Sequence, residues 1–126
     1  MIPRMILVLA GGLLLFGSGA LAQPSSLKAY EAGRADAEKD IRANVLALER
    51  FGLPAAWDGE YSRILQEKYR ILVRPVAGCV VNADIIGHAK GYNEVSRPEI
   101  ERRFGADVFE KARKEAAKLH REKSGR

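Results

Sequence analysis

The stretch YRILVRPVAGCVVN, residues 69–82, decides what kind of fold the chain forms. It is rich in β-branched residues, and it contains Pro75 and Gly78, which favour a turn. We therefore predict two short strands, near 70–74 and 79–81, joined by this turn into a β-hairpin. The alternative is a continued helix that the proline interrupts.

Upstream of this stretch, the sequence predicts one long helix that begins at Ser25 or Ser26 and ends at Phe51. Small and apolar residues recur there at three- and four-residue steps, which is the period of one helix face. Gly52 and Pro54 then mark the end of the helix. The residues of this face are Tyr30, Gly33, Ala37, Ile41, Val45, Leu48 and Phe51.

Further helices are predicted on both sides of the β-rich stretch. Asp58 caps a short one before it, and Asn82 caps another after it. That helix is expected to end near Val95, because Ser96-Arg97-Pro98-Glu99 matches a capping box that starts a new helix. The last helix is expected to begin near Asp107.

The fold class that these patterns predict is mainly α, with four to five helices in a single small domain. It becomes α+β if the two-stranded β-hairpin at 70–81 forms. The chain has one cysteine, Cys79, which cannot form a disulfide within the chain. Packing must therefore carry the stability, and a homodimer is a further expectation.

Residues 1–22 have the pattern of a secretory signal peptide. Arg4 supplies the positive charge, residues 6–16 form an uncharged apolar core, and an Ala-x-Ala pattern ends at Ala22. The apolar core is too short to span a membrane, which takes roughly 20 residues. We expect cleavage after Ala22 and a periplasmic or secreted protein whose residues 23–126 form the helical domain.

The charge is concentrated at the C-terminus. The chain carries a formal net charge of +5, and residues 111–126 hold seven Lys or Arg against two Glu. Such a helix suits peripheral contact with an anionic membrane or polymer. The alternative is a solvated helix end whose basic groups complement the macrodipole. We expect no nucleic-acid partner, because the chain is predicted to be exported and this segment has no aromatic residues for base stacking.

Cys79, His88 and Asp84 are the candidates for thiol chemistry. A reactive cysteine needs a thiolate, and a nearby imidazole oriented by a carboxylate promotes its formation. Asp84 lies four residues before His88, one helical turn away. The favoured interpretation is instead a buried, inert cysteine, because valines and an alanine surround it. An intermolecular disulfide is the second alternative.

No metal or cofactor is expected. The chain has two histidines, His88 and His120, and they fall on different predicted helices. The sequence contains no Cys-x-x-Cys, His-x-x-x-His or EF-hand pattern, and it has no phosphate-binding or nucleophile-elbow motif.

The richest set of exposed polar and aromatic groups is expected around residues 91–104. We predict that the protein is a non-catalytic binding protein whose partner is another envelope or secreted protein, or a glycan. The alternatives are a small thiol-dependent enzyme and a structural protein bound to a membrane or polymer through its basic helix. Trp57 is either an exposed binding residue or a lid over the core. The predicted binding surface comprises Tyr92, Asn93, Glu94, Arg97, Arg102, Arg103 and Trp57. The favoured alternative for residues 91–104 is purely structural: Tyr92 packs, Asn93 hydrogen-bonds to the backbone, and the Arg and Glu side chains form solvated pairs three or four residues apart.

Overall fold

A computed structural model describes residues 24–126, and the predicted signal peptide lies outside these described residues. The prediction of a mainly α, single small domain is confirmed, with four helices and a two-stranded sheet in this part of the chain. None of these four helices is both long and apolar enough to cross a membrane. The elements are α1 (Ser25–Arg42), β1 (Leu46–Phe51), α2 (Asp58–Tyr69), β2 (Ile71–Ala77), α3 (Ala83–Phe104) and α4 (Val108–Ser124).

The predicted β-hairpin at 70–81 is wrong. Residues 71–77 form one strand, β2, which pairs in parallel with β1, with Leu46 opposite Ile71 and Glu49 opposite Arg74. A parallel pair needs a crossover, which α2 provides. Pro75 lies opposite Arg50, directly before the point where the register of the strand pair shifts, and proline is tolerated at such irregularities and on a strand with one neighbour in the sheet.

The first helix is shorter than predicted, because residues 46–51 at its predicted end form strand β1. Helix α1 ends at Arg42, and Asn44 adopts a left-handed conformation at φ 58° that redirects the chain. Residues 46–49 are all buried, as expected for a strand covered on both faces. Such a strand lacks the simple alternation of apolar and polar residues, so its apolar residues also matched a helical period.

The predicted break at residue 96 is also wrong, since α3 continues through Pro98 to Phe104. The Ser96 hydroxyl does not cap a helix and instead donates to the carbonyl oxygen of Ala47. Two predicted helix starts are confirmed. The Asn82 side chain accepts a hydrogen bond from the Ile85 N–H at 2.9 Å, and α4 begins directly after Asp107.

The sheet lies between two pairs of helices that cover its opposite faces. Helices α2 and α4 contact each other, and the residues that they bury belong to one apolar cluster with one face of the sheet. This apolar side is filled by large aliphatic and aromatic side chains. Its buried residues are Leu46, Leu48, Ile64, Leu65, Ile71, Ile100, Val108, Phe109, Ala112 and Ala116.

On the other face, α1 and α3 pack with their backbones close together. A Cβ on Gly33 would lie 2.0 Å from the His88 carbonyl oxygen, and one on Gly91 would lie 2.0 Å from that of Tyr30. Glycine is needed at both positions because no side-chain atom fits there. The apolar cluster on this side is small, and its buried members within residues 24–126 are Ala37, Ala47 and Tyr92. We call the face of the sheet that α1 and α3 cover the polar side, because charged and polar side chains connect its elements.

Candidate functional site

The polar side centres on His88, whose imidazole lies between two carboxylates. Its Nδ1 is 2.7 Å from Oε2 of Glu49, and its Nε2 is 3.0 Å from Oδ2 of Asp36. The three residues belong to α3, β1 and α1, so the ring connects three elements. The Glu49 side chain is 8% exposed and that of Asp36 is 60% exposed, so the ring joins a buried acid to a solvated one.

This environment favours the protonated imidazole. Burial of the ring lowers the pKa of His88, but the hydrogen bonds to Asp36 and Glu49 outweigh burial and raise the pKa above its ordinary value of 6.5. The imidazolium has an N–H on each nitrogen, so it donates to both acids at once. Both nitrogens are then occupied, and the ring serves to hold α1, β1 and α3 together.

A second polar cluster joins Asp40, Arg74 and Tyr92. The Tyr92 hydroxyl donates to Oδ2 of Asp40 at 2.6 Å, and Nη1 of Arg74 donates to the same oxygen at 2.7 Å. The hydrogen bonds from Tyr92 and Arg74 lower the pKa of Asp40. Burial, together with the hydrogen bond to Asp40, raises the pKa of Tyr92. The tyrosine therefore stays neutral and remains a donor.

Helix α3 also covers the edge of β1 that does not pair with β2. The Asn93 amide donates to the Glu49 carbonyl oxygen at 2.7 Å, and its oxygen accepts from the Glu49 N–H at 2.8 Å. The Ser96 hydroxyl satisfies the Ala47 carbonyl oxygen on the same edge. Side chains thus replace a third strand, which blocks the exposed edge that would otherwise invite strand pairing.

Beyond this edge lies a groove of about 550 Å³ between α1 and the second half of α3. It brings together Asn93, Glu94 and Arg97, three of the predicted binding residues. Its walls carry two cations and two anions, so the groove has no dominant charge. We call this surface the α3 groove, and it is lined by Tyr30, Lys90, Asn93, Glu94, Arg97, Pro98 and Glu101.

Internal contacts fix the side chains of the α3 groove. The Tyr30 hydroxyl donates to Glu94, which also lies 3.5 Å from the Arg34 guanidinium. The Arg97 guanidinium lies 4.4 Å from the centre of the Phe109 ring, in a cation–π arrangement. These contacts hold hydrogen-bonding groups in place before any partner arrives, which reduces the entropy lost on binding.

The structure does not assemble Cys79, His88 and Asp84 into a thiol site. Cys79 is exposed in the loop after β2, so the expectation that it is buried is wrong. The reason is that β2 ends at Ala77, and the following loop also leaves Val80 exposed. The His88 ring hydrogen-bonds to Glu49 and Asp36, so neither of its nitrogens is left for the thiol.

The remaining predicted binding residues lie outside the α3 groove. Both Arg102 and Arg103 hydrogen-bond to Glu99, and these contacts lower the pKa of Glu99 to about 2. Trp57 is half-buried against the apolar side, edge-on to Tyr61 with ring centres 5.6 Å apart, as the lid interpretation expects. Tyr92 is 1% exposed, so its ring belongs to the core.

Many basic groups of residues 111–126 are paired with acids. Arg113 contacts Glu110 within α4, and Lys123 reaches Glu60 of α2 at 3.3 Å. Lys111 also pairs with Asp107, so three carboxylates outside 111–126 neutralise part of its charge, which reduces the attraction of α4 for an anionic surface.

Within residues 24–126, no three His, Cys, Asp or Glu side chains are grouped so that they could hold a metal ion. Comparison of the chain with protein-family models, with curated proteins and with solved structures gave no match.

Sequence reasoning missed four members of the polar clusters: Asp36, Asp40, Glu49 and Arg74. Asp36 and Asp40 lie four residues apart on α1, a spacing that aligns them along one side of a helix. Glu49 was hidden because its strand was interpreted as helix. An acid at the centre of a buried strand is the signal that would have identified it.

Proposed function

We propose that the protein is a non-catalytic binding protein of the cell envelope or secreted fraction, and that its α3 groove binds a segment of another exported protein. The observation that carries the proposal is that Asn93, Glu94 and Arg97, chosen from sequence as binding residues, line one groove with Tyr30 of α1.

The composition of the groove favours a peptide segment as its occupant. A peptide offers N–H and C=O groups along its length and side chains of both charges. The groove offers the matching set: an ammonium and a guanidinium, two carboxylates, and a carboxamide held by the edge of β1. Alternating charges of this kind set the register and orientation of a partner.

Catalysis has less support. A thiol-dependent enzyme needs a base beside Cys79, and the imidazole proposed for that role is engaged by Glu49 and Asp36. Membrane or polymer association through α4 is the other alternative, and the ion pairs along that helix weaken it.

The proposal is tested by quantitative capture of partners from the envelope fraction of cells that make the protein. Lys90→Glu and Glu94→Lys each reverse one groove charge, and either should reduce capture of a specific exported protein by at least about tenfold. Lys118→Glu is the matched control, because it reverses a charge on α4 that is 71% exposed.

Equal capture by the wild-type protein and both groove variants would show that the groove is not the binding surface. Loss of capture with Lys118→Glu alone would favour association through α4. Thermal unfolding of each variant separates loss of binding from loss of fold.

A further inference from the structure

A cleft of about 390 Å³ lies elsewhere on the polar side and shares no lining residue with the α3 groove. Its volume is in the range of small-molecule sites, which is about 300–1,000 Å³. Three elements supply an apolar wall, through Ala29 of α1, Val76 of β2 and Ile85 of α3. The other lining residues, Glu49, Asp84 and His88, are polar.

The cleft lies at a position where ligands commonly bind in proteins with parallel β-sheets. Val76 is next to the last residue of β2, and Asp84 is in the first turn of α3. The cleft thus opens near the carboxyl end of a parallel sheet, the usual position of ligand sites in proteins with parallel strands.

The Glu49 carboxylate gives a further reason to infer that the cleft holds a ligand. Its side chain is 8% exposed, and its Oε2 is bound to His88. Its other oxygen has no hydrogen bond to residues 24–126, yet it is not sealed from solvent. This solvent-accessible oxygen belongs to a side chain that is otherwise nearly buried, and it is free to accept a hydrogen bond from a ligand in the cleft.

The charge of the cleft selects a cation. Glu49 and Asp84 line it, Asp36 lies on the far side of the His88 ring, and no Lys or Arg is among the lining residues. The three carboxylates outnumber the protonated imidazole, and the Arg74 guanidinium, whose residue lies opposite Glu49 in the sheet, is itself paired with Asp40. The positive end of α3 does not reverse this, because Asp84 occupies its first turn.

We propose that this cleft binds a small organic amine with an apolar body. The ammonium lies between Asp84 and the free oxygen of Glu49, and the hydrocarbon or aromatic portion lies against Ala29, Val76 and Ile85. This site is separate from the α3 groove and goes beyond the protein-binding function proposed above.

The test is a titration of the isotopically labelled protein, produced from the whole 126-residue sequence, followed by NMR. The probes are butylamine, phenethylamine and tryptamine, with 2-phenylethanol and 3-phenylpropionate as neutral and anionic counterparts. At least one amine should give saturable shifts at Val76, Ile85 and His88. Phenethylamine should bind about tenfold more tightly than 2-phenylethanol, because only the ammonium carries a positive charge that pairs with the carboxylates.

Two substitutions assign the ammonium position. Asp84→Asn and Glu49→Gln preserve side-chain shape and should each weaken the amine about tenfold. Asp107→Asn is the matched control, because Asp107 is also an exposed aspartate at a helix start, and it should leave the affinity unchanged. Dispersed amide spectra establish that each variant is folded.

The proposal is overturned if all three amines fail to shift these residues, or if 3-phenylpropionate binds as tightly as phenethylamine. It is also overturned if both Asp84→Asn and Glu49→Gln bind amines like the wild-type protein.

Discussion

The two faces of the sheet are built on different physical principles. On the apolar side, α2 and α4 bury large side chains such as Leu65, Ile71 and Phe109. On the polar side, α1 and α3 approach through glycines and connect to the strands through His88 and Asp40. One face is stabilised by the amount of apolar surface removed from water, and the other by close contact and directional polar bonds.

This difference suggests a division of labour. Burial is non-directional, so a large apolar cluster holds the domain together while tolerating small adjustments. Hydrogen-bonded acids, amides and an imidazole fix side chains in defined positions, which a binding surface requires. Both proposed sites lie on the polar side and take residues from α1 and α3.

The largest effect is expected on the apolar side. Leu65 is fully buried, so Leu65→Ala should reduce the free energy of unfolding by about 3–4 kcal/mol, measured by urea denaturation. Leu65→Met keeps the volume and should cost under about 1.5 kcal/mol. If the two variants were equally unstable, the stability of the apolar side would depend on the exact shape of the side chain and not only on the apolar volume that it buries.

The next effect should appear where α1 meets α3. Gly91→Ala adds one methyl group against the Tyr30 backbone and should cost about 2–3 kcal/mol, even though alanine favours helix. In Gly59→Ala, the control within α2, the new Cβ has no atom within 4 Å. That variant should be unchanged or more stable by up to about 1 kcal/mol. A tolerated Gly91→Ala would mean that the helices are not in close contact.

Removing one hydroxyl from the polar side should have a smaller effect. Tyr92→Phe deletes the donor to Asp40 and should cost about 1.5 kcal/mol, because a buried hydrogen bond to a charged group is lost. Tyr69→Phe is the control, since the Tyr69 ring packs edge-on against Phe104 on the apolar side. Equal losses in the two variants would remove the distinction between the two faces.

The smallest effect should be the pH dependence of His88. Its pKa is raised in the folded state, so its stabilisation is complete below the ordinary value of 6.5 and is lost as pH rises through the folded pKa. The stability difference between wild type and His88→Gln should therefore be larger at about pH 5.5 than at about pH 8.5, by under about 1 kcal/mol because the ring is partly solvated. A larger difference at the higher pH would contradict the two-carboxylate arrangement.

Sequence predicted the helices of this fold better than its strands. Asn82 marked a real helix start because its side chain accepts a hydrogen bond within one turn, and Asp107 marked another, where an acid lies at the positive end of α4. The pairing of Leu46 with Ile71 joins residues far apart in the chain, so no local pattern contains it. Pro98 led to the wrong prediction that a helix ends before it. The missing proline N–H is a local cost, but hydrogen bonds from Ser96 and Asn93 to β1, which is distant in sequence, hold α3 in place as one helix.

The same contrast applies to the sites. Asn93, Glu94 and Arg97 were identifiable from sequence because they are neighbours on one helix. The residues of the cleft could not be identified together from sequence, because they come from α1, both strands and α3. Only the parallel pairing brings Glu49 and Val76 to the start of α3.

Site-specific photo-crosslinking in cells that make the protein tests most directly whether the polar side is the binding side. A photoreactive residue in place of Lys90 reports on the α3 groove, and one in place of Lys118 reports on α4 beside the apolar side. The groove position should crosslink to one specific exported protein, and the α4 position should not. Crosslinking from Lys118 alone, equal crosslinking from both positions, or none from either would contradict this assignment.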